Sequence, residues 1–313
     1  MRRLVWVSGI LTGLLVFWLW QTNPPLIDSQ IVPEDSLRRE WMGYPDLGLK
    51  TRVSTLEKQM QFATGLSRLR SGFLFFEPAT GEYTALRPGD AFSAASIIKL
   101  PVLVELFRQV DQGQVRLDEK LILQPADKGG GSGWMQYRKN GTQFSLLYIA
   151  TLMIVRSDNT ATNMIIRRLG GAGDLNRQFQ RWGLEKTVLR QPLPDLKGQN
   201  TSSPQDLALL LVELERGHLL SAASHQQAYE ILRRTRIRSL LPPGLGPGAQ
   251  ILHKTGDIGK MVGDAGIIIL PHGKRYIAVA MVERPRNDRR ANQLISKLSQ
   301  LYYHYQNLPS IRR

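Results

Sequence analysis

Strand-forming segments lie toward the two ends of this chain, and most of what separates them reads as helix. Near the start, Phe73-Leu74-Phe75-Phe76 and Tyr83-Thr84-Ala85-Leu86 are joined by Pro78-Ala79-Thr80-Gly81, the pattern of a β-hairpin with its turn. Far downstream come Ile251–Thr255, Gly266–Leu270 and Tyr276–Val282, with Pro271-His272-Gly273-Lys274 turning between the last two. Helical spacing marks about 52–68, where Val53, Leu56, Met60, Phe62 and Leu66 share one side, and then Ser96 to about Val110, ended by Gln112-Gly113. Further helices are expected at about 146–156, with Leu147, Ala150, Thr151 and Ile154 inward, and at 160–169, 205–215, 225–234 and 290–305. Segregated elements of this kind fold as α+β rather than as alternating α/β units. We expect the hairpin and the late strands to share one antiparallel sheet flanked by helices, with a helical lobe of about 96–235 inserted. A site is expected in the cleft between the lobes.

The chain has 313 residues, enough for a sizeable core, and no cysteine, which removes disulfides, thiolate metal sites and thiol nucleophiles. Its net charge of +15 favours anionic partners, yet no nucleic-acid module is visible, so no nucleic acid is expected. His218, His225, His253, His272 and His304 show no ligand spacing, and neither metal nor cofactor is implied. Gly129-Gly130-Gly131-Ser132-Gly133 reads as a flexible loop without the Gly-Lys-Ser/Thr ending of a phosphate loop.

Arg2 and Arg3 precede the uncharged run Leu4–Trp20, which is at the short limit for crossing a bilayer. The arginines would stay cytoplasmic and Trp18 and Trp20 would sit at the far interface. The run ends in Phe17-Trp18-Leu19-Trp20-Gln21, a poor cleavage site, so an uncleaved anchor is favoured over a cleaved signal. The expected layout is a cytoplasmic 1–3, a single span 4–20, a proline-interrupted linker 21–50 and a body 51–313 outside the cytoplasm.

Three short motifs occur in order: Ser96-Ile97-Ile98-Lys99, Ser157-Asp158-Asn159 and Lys254-Thr255-Gly256. A serine hydroxyl becomes a nucleophile when a base takes its proton. Positions i and i+3 share a helix face, so the Lys99 amine can reach Ser96, provided burial or a neighbouring cation such as Lys254 lowers its pKa. Ser157 and Asn159 fall at a helix–helix junction, where Ser157 can relay a proton to a leaving nitrogen. Asn159 there can hold a substrate amide while contacting Lys99, with Asp158 fixing the turn. Lys254 and Thr255 suit a substrate carboxylate, and Gly256 lets a substrate lie against the strand. Pro101 is expected to kink the helix that begins at Ser96.

The ordered trio resembles that of class A β-lactamases and penicillin-binding proteins, and the likeness runs from about 52 to 305. Phe92-Ser93-Ala94-Ala95-Ser96 is similar to the approach to that family's nucleophile. Ser157–Asn163 is similar to its helix start, and Thr201-Ser202-Ser203-Pro204 to the exit from its omega loop. The resemblance implies an antiparallel sheet flanked by helices and an acyl-serine at Ser96. It also implies an oxyanion held between the N–H groups of Ser96 and Asp257. The family's deacylating Glu-x-x-Leu-Asn corresponds here to Leu193-Pro194-Asp195-Leu196-Lys197, so Leu193 replaces the Glu and Lys197 the Asn. Asp195 could serve as the base if the loop shifts register. An arginine that relatives use for the carboxylate falls at Ala265, and Asp257 adds a negative charge nearby. Three readings follow, all of them monomeric. The first is a serine hydrolase acting on β-lactam or D-amino-acid amides, and the second a peptidoglycan D,D-peptidase acting on stem peptides. The third is a slowly acylating sensor or wall-binding protein.

Overall fold

The structure, a computed structural model, describes residues 47–308. The run Leu4–Trp20 and linker residues 21–46 lie outside the described residues. Among the described residues no helix is long and apolar enough to cross a membrane. Residues 47–50 belong to the body rather than to a linker: Leu47 is buried, and the Lys50 N–H donates to the Gly81 carbonyl at 2.8 Å.

One six-stranded sheet organises the body. Its strands are β1 (Thr51–Arg52), β2 (Ser71–Phe76), β3 (Glu82–Leu86), β8 (Gln250–Asp257), β9 (Met261–Ile269) and β10 (Arg275–Glu283), in the order β1-β3-β2-β10-β9-β8. All pairings are antiparallel except the short β1 on β3. The expected sharing of one sheet by the hairpin and the late strands is thus what the chain adopts. β2 and β10 lie in the middle and are covered on both faces, which is why Phe73-Leu74-Phe75-Phe76 is apolar without alternation. The register sets large against small: Phe73 opposite Ala280 and Phe75 opposite Ala278. Helices α1 (Ser54–Ser67) and α8 (Arg290–Gln306) close that face, with Tyr302 against Phe75 and Tyr276 at ring separations of 5.4 and 5.0 Å. Truncating Phe75 to alanine removes about 3–5 kcal/mol of such packing.

Two further pairs, β4 (Phe92–Ser93) with β7 (Thr201–Ser202) and β5 (Lys120–Ile122) with β6 (Gln143–Ser145), stitch the lobe inserted between β3 and β8. Its helices are α2 (Lys99–Asp111), α3 (Leu146–Val155), α4 (Asn159–Arg168), α5 (Gly171–Arg181), α6 (Pro204–Glu215) and α7 (Ala222–Arg233). Four expectations need correction. In α1 the buried apolar residues are Leu56 and Met60, while Phe62 and Leu66, expected on the same side, are exposed. Pro101 does not break its helix: Ala95–Ile98 is a 3-10 turn, so Pro101 falls in the first turn of α2, where a missing N–H costs little. In α3 the fully buried face is Leu146, Ile149, Ala150, Met153 and Ile154, while Leu147 and Thr151 are half-buried. α5 was not expected at all, because Gly170-Gly171-Ala172-Gly173 disguises its start. Leu175 and Phe179 nevertheless anchor it one turn apart.

Candidate active site

The site grows from the segment between β4 and α2. The Ala94 N–H donates to Asn200 O at 2.8 Å, and Ala95 then takes a left-handed φ of 45°. Such strain costs on the order of 1–3 kcal/mol in a residue with a Cβ, and it is retained here immediately before Ser96. The 3-10 turn Ala95–Ile98 follows and runs into Lys99 at the head of α2. β8 closes against this turn. A Cβ added at Gly256 would lie 2.8 Å from Ile97 and 3.0 Å from the Ala94 carbonyl, so only glycine lets the strand approach the nucleophile turn so closely.

β8 is a sheet edge, and its hydrogen-bond parity decides what faces the cleft. The Ile258 N–H donates to Met261 O at 3.1 Å, in register with Gly256 opposite Gly263. Antiparallel alternation then turns the backbone N–H and C=O of His253, Thr255 and Asp257 away from β9, toward the free edge. Two contacts agree. The Thr235 hydroxyl donates to His253 O at 2.8 Å, and Lys254 Nζ donates to Thr255 O at 2.6 Å. The Asp257 N–H is therefore presented on the same edge that meets the Ser96 turn.

Lys99 is fully buried, and its amine touches Ser96 Oγ at 3.1 Å, Ser157 Oγ at 3.1 Å, Ser157 O at 2.7 Å and Asn159 Oδ1 at 2.8 Å. The carbonyl and the amide oxygen only accept. The Asn159 orientation is fixed by its Nδ2 donating to Gly130 O at 2.8 Å. An uncharged amine has two N–H groups, which these two acceptors consume, leaving its lone pair for the hydroxyl proton of Ser96 or Ser157. Burial, and then the charge of Lys254, push Lys99 well below its ordinary pKa against the opposing pull of Asp158. Lys254 is itself pushed by burial down to about 7, opposed by Asp264. Uncharged, the amine of the sequence motif would be a base with its lone pair facing these hydroxyls.

The turn before α4 is held as tightly. Ser157 takes a left-handed φ of 55°, and Asp158 caps α4 through the Ala161 N–H at 3.0 Å. The other Asp158 oxygen accepts from the Trp134 and Met135 N–H groups at 2.8 and 3.0 Å. The glycine-rich stretch is packed here rather than free. Asn159 N–H donates to Ser132 O at 3.1 Å, and a Cβ at Gly129 or Gly133 would collide with Leu193 O or with the Asp158 carboxylate at 2.2 Å. Those glycines buy close approach, not flexibility.

The chain that builds this turn, buried lysine and cationic sheet edge matches the model of the β-lactamase enzyme family over residues 55–306. The chain belongs to that family. Among solved structures, PBP-A is 46% identical, with a TM-score of 0.81 and coverage of 83% of this chain and 99% of its own. PBP-A has also been solved as a leucine-to-glutamate variant in an acyl-enzyme complex with penicillin G. An ancestral class A β-lactamase superposes at a TM-score of 0.75 with 26% identity, covering 80% of this chain and 99% of its own. The extended-spectrum β-lactamase PER-1 of Pseudomonas aeruginosa is 26% identical over 80% of this chain and 87% of its own length. The protein is a class A β-lactamase-like serine hydrolase.

The loop that in class A enzymes holds the deacylating groups is built differently here. Leu193 is buried, with its N–H and C=O bonded to the Asn163 side chain at 2.9 and 2.7 Å, while Lys197 is exposed. Asp195 is 1% exposed and holds its own loop: its carboxylate accepts from Gly198 N–H at 2.9 Å, Asn200 N–H at 2.6 Å and the Gln191 side chain. That task competes with the expected option of Asp195 as a water-activating base, since three N–H groups already bond to its two oxygens. Ala265 lies opposite Lys254 in the register, so no arginine stands at that position. Sequence reasoning overlooked the role of Asn163, whose bonds to Leu193 span 30 positions. It also overlooked Arg284, which nothing in the local pattern marks.

Proposed function

We propose that the protein attacks β-lactam or D-amino-acid amides through Ser96 and releases the resulting acyl group slowly. What supports the reading most is the place of the Lys99 amine, 3.1 Å from Ser96 Oγ: once it is uncharged, Ser157 O and Asn159 Oδ1 engage its two N–H groups and its lone pair is left for Ser96. Lys99 takes the Ser96 proton as Oγ bonds to the carbonyl carbon, and the carbonyl electrons move onto oxygen, opposite the N–H groups of Ser96 and Asp257. When the oxyanion collapses, the C–N bond breaks and the leaving nitrogen takes the proton from Lys99 through Ser157. Asn159 holds the substrate amide, and Lys254, Thr255 and Gly256 receive the carboxylate end. Leu193 and Lys197 supply neither a base nor a partner for the deacylating water, which favours a penicillin-binding D,D-peptidase-like enzyme over a fast β-lactamase. A slowly acylating sensor shares the same first step.

Time-resolved mass spectrometry of the protein with benzylpenicillin tests this. We expect one acyl group to appear within the burst and to persist. Rapid return to the unmodified mass, or no adduct, removes the proposal. We further propose that Leu4–Trp20 anchors a monomeric body on the extracytoplasmic side. N-terminal sequencing of membrane-derived protein is expected to recover Met1 or Arg2, and a soluble form starting near Gln21 contradicts it.

A further inference from the structure

Asp257 places a carboxylate beside the very N–H that is to receive negative charge. Left alone, that arrangement opposes an oxyanion. Arg284, the first residue after β10, meets it: Nη2 donates to Asp257 Oδ1 at 2.7 Å. Three more guanidinium N–H groups are bound as well, Nε to Gly259 O at 3.1 Å and Nη1 to Asn292 Oδ1 at 2.8 Å and Asp288 O at 3.3 Å. The Arg284 backbone N–H donates to Lys260 O at 2.8 Å, and Gly259 N–H donates to Asp257 Oδ1 at 2.8 Å. The side chain of Arg284 is only 3% exposed, whereas that of Asp257 is 53% exposed. A buried planar fork with four acceptors on three different segments has little freedom, so it fixes whatever it holds.

What it holds is the end of the free sheet edge. β8 stops at Asp257, the tip Ile258-Gly259-Lys260 reverses the chain, and β9 begins at Met261. Edge-strand backbone has no neighbour on its outer side to fix the direction of its N–H groups. We propose that Arg284 is a positioning residue for the oxyanion hole: it tethers the β8–β9 tip, aims the Asp257 N–H, and cancels the Asp257 charge where the carbonyl oxygen becomes negative. This rests on the reading of Ser96 as the nucleophile and of the Asp257 N–H as an oxyanion donor.

A double-mutant cycle on the full-length protein tests it, with the acylation rate by a fluorescent penicillin and the infrared stretch of the acyl-ester carbonyl formed from carbonyl-labelled penicillin as readouts. Removing one oxyanion donor costs about 10²–10³ in rate, and misaiming one is expected to cost about tenfold or more for Arg284→Met. The ester band should move to higher wavenumber and broaden, as donation to the carbonyl weakens. In the Asp257→Asn background the same Arg284→Met change should cost less, because no carboxylate is left unbalanced. If Arg284 merely supports the fold, Arg284→Met lowers the melting temperature, costs the same in both backgrounds and leaves the ester band in place. That result overturns the inference. Should Arg284→Met fail to fold, Arg284→Lys keeps the charge and loses the fork. A band and rate unchanged from the natural protein then overturn the inference equally. Absence of any Ser96 adduct in the natural protein is a different failure, that of the proposed function itself.

Discussion

The turn at Ser157–Asn159 and the loop at Leu193–Asn200 both pack against the glycines at 129–133, but they spend their polar groups differently. In the first, Ser157 O, Ser157 Oγ and Asn159 Oδ1 all converge on the Lys99 amine, and the backbone that holds them is fixed by Asp158. In the second, the one buried carboxylate, Asp195, is consumed by N–H groups of its own loop, and Leu193 is tied to Asn163 through its backbone. One region points chemistry at Ser96 and the other only maintains its shape. On the proposed reading, making an acyl-serine and hydrolysing it are carried by separate parts of the chain, and a sequence can keep the first while losing the second.

The largest expected effect breaks the first region outright. Ser96→Ala should abolish covalent labelling by a fluorescent penicillin, and undiminished labelling would discard the assignment of the nucleophile. Lys99→Ala comes next, with acylation slowed about 10²–10⁴-fold, the scale of lost general-base help. A rate within a factor of a few of the natural protein would mean that another group takes the proton.

The second region is sharpened by giving it what it lacks. Leu193→Glu with Lys197→Asn should speed release of the acyl group by about tenfold or more while acylation changes less, since a carboxylate accepts a proton from water and leucine does not. Asp195→Asn is the control. It removes a carboxylate that accepts three hydrogen bonds and should lower the melting temperature more than it alters release; loss of turnover instead would make Asp195 the base.

The smallest effect is in pH. Lys99 must be neutral to act and its pKa is depressed, so acylation falls as pH drops through its value on the acidic side. Lys254 must be charged to hold a carboxylate and titrates at about 7, so affinity for anionic substrates falls as pH rises above that. Lys254→Arg is expected to remove the alkaline limb of a plot of acylation rate against pH, because a guanidinium stays charged there. A limb that survives the substitution belongs to another group.

How far the sequence alone carried these conclusions depends on range. The strands, the helices with strong apolar periodicity and the Ser96–Lys99 pair were legible because each is set by residues a few positions apart, and the sharing of one sheet by strands about 200 positions apart followed from their segregation to the two ends of the body. Asn159 and Lys254 were legible only through their motifs. The role of Asn163 on Leu193 was not legible, because it joins residues 30 positions apart by side-chain-to-backbone bonds that leave no local pattern. The same holds for Arg284 on Asp257, 27 positions apart. The loop-holding bonds of Asp195 were not legible for a related reason: a carboxylate in an expected catalytic loop looks the same whether its oxygens face a substrate or the loop's own N–H groups. The glycines at 129–133 read as mobile because composition does not distinguish freedom from close packing.

Gly256 against the Ile97 turn has a consequence for how the molecule comes to be reactive. The strand bearing it is formed by residues some 160 positions beyond Ser96, and the base at Lys99 is completed by Ser157 and Asn159 from the middle of the chain. Contacts of such long sequence separation are costly to close. A growing or half-folded chain is thus expected to carry Ser96 as an ordinary alcohol until β8 has docked. Covalent labelling during refolding is accordingly expected to lag until that strand has docked, which would make it a clock for that step without any added probe on the chain.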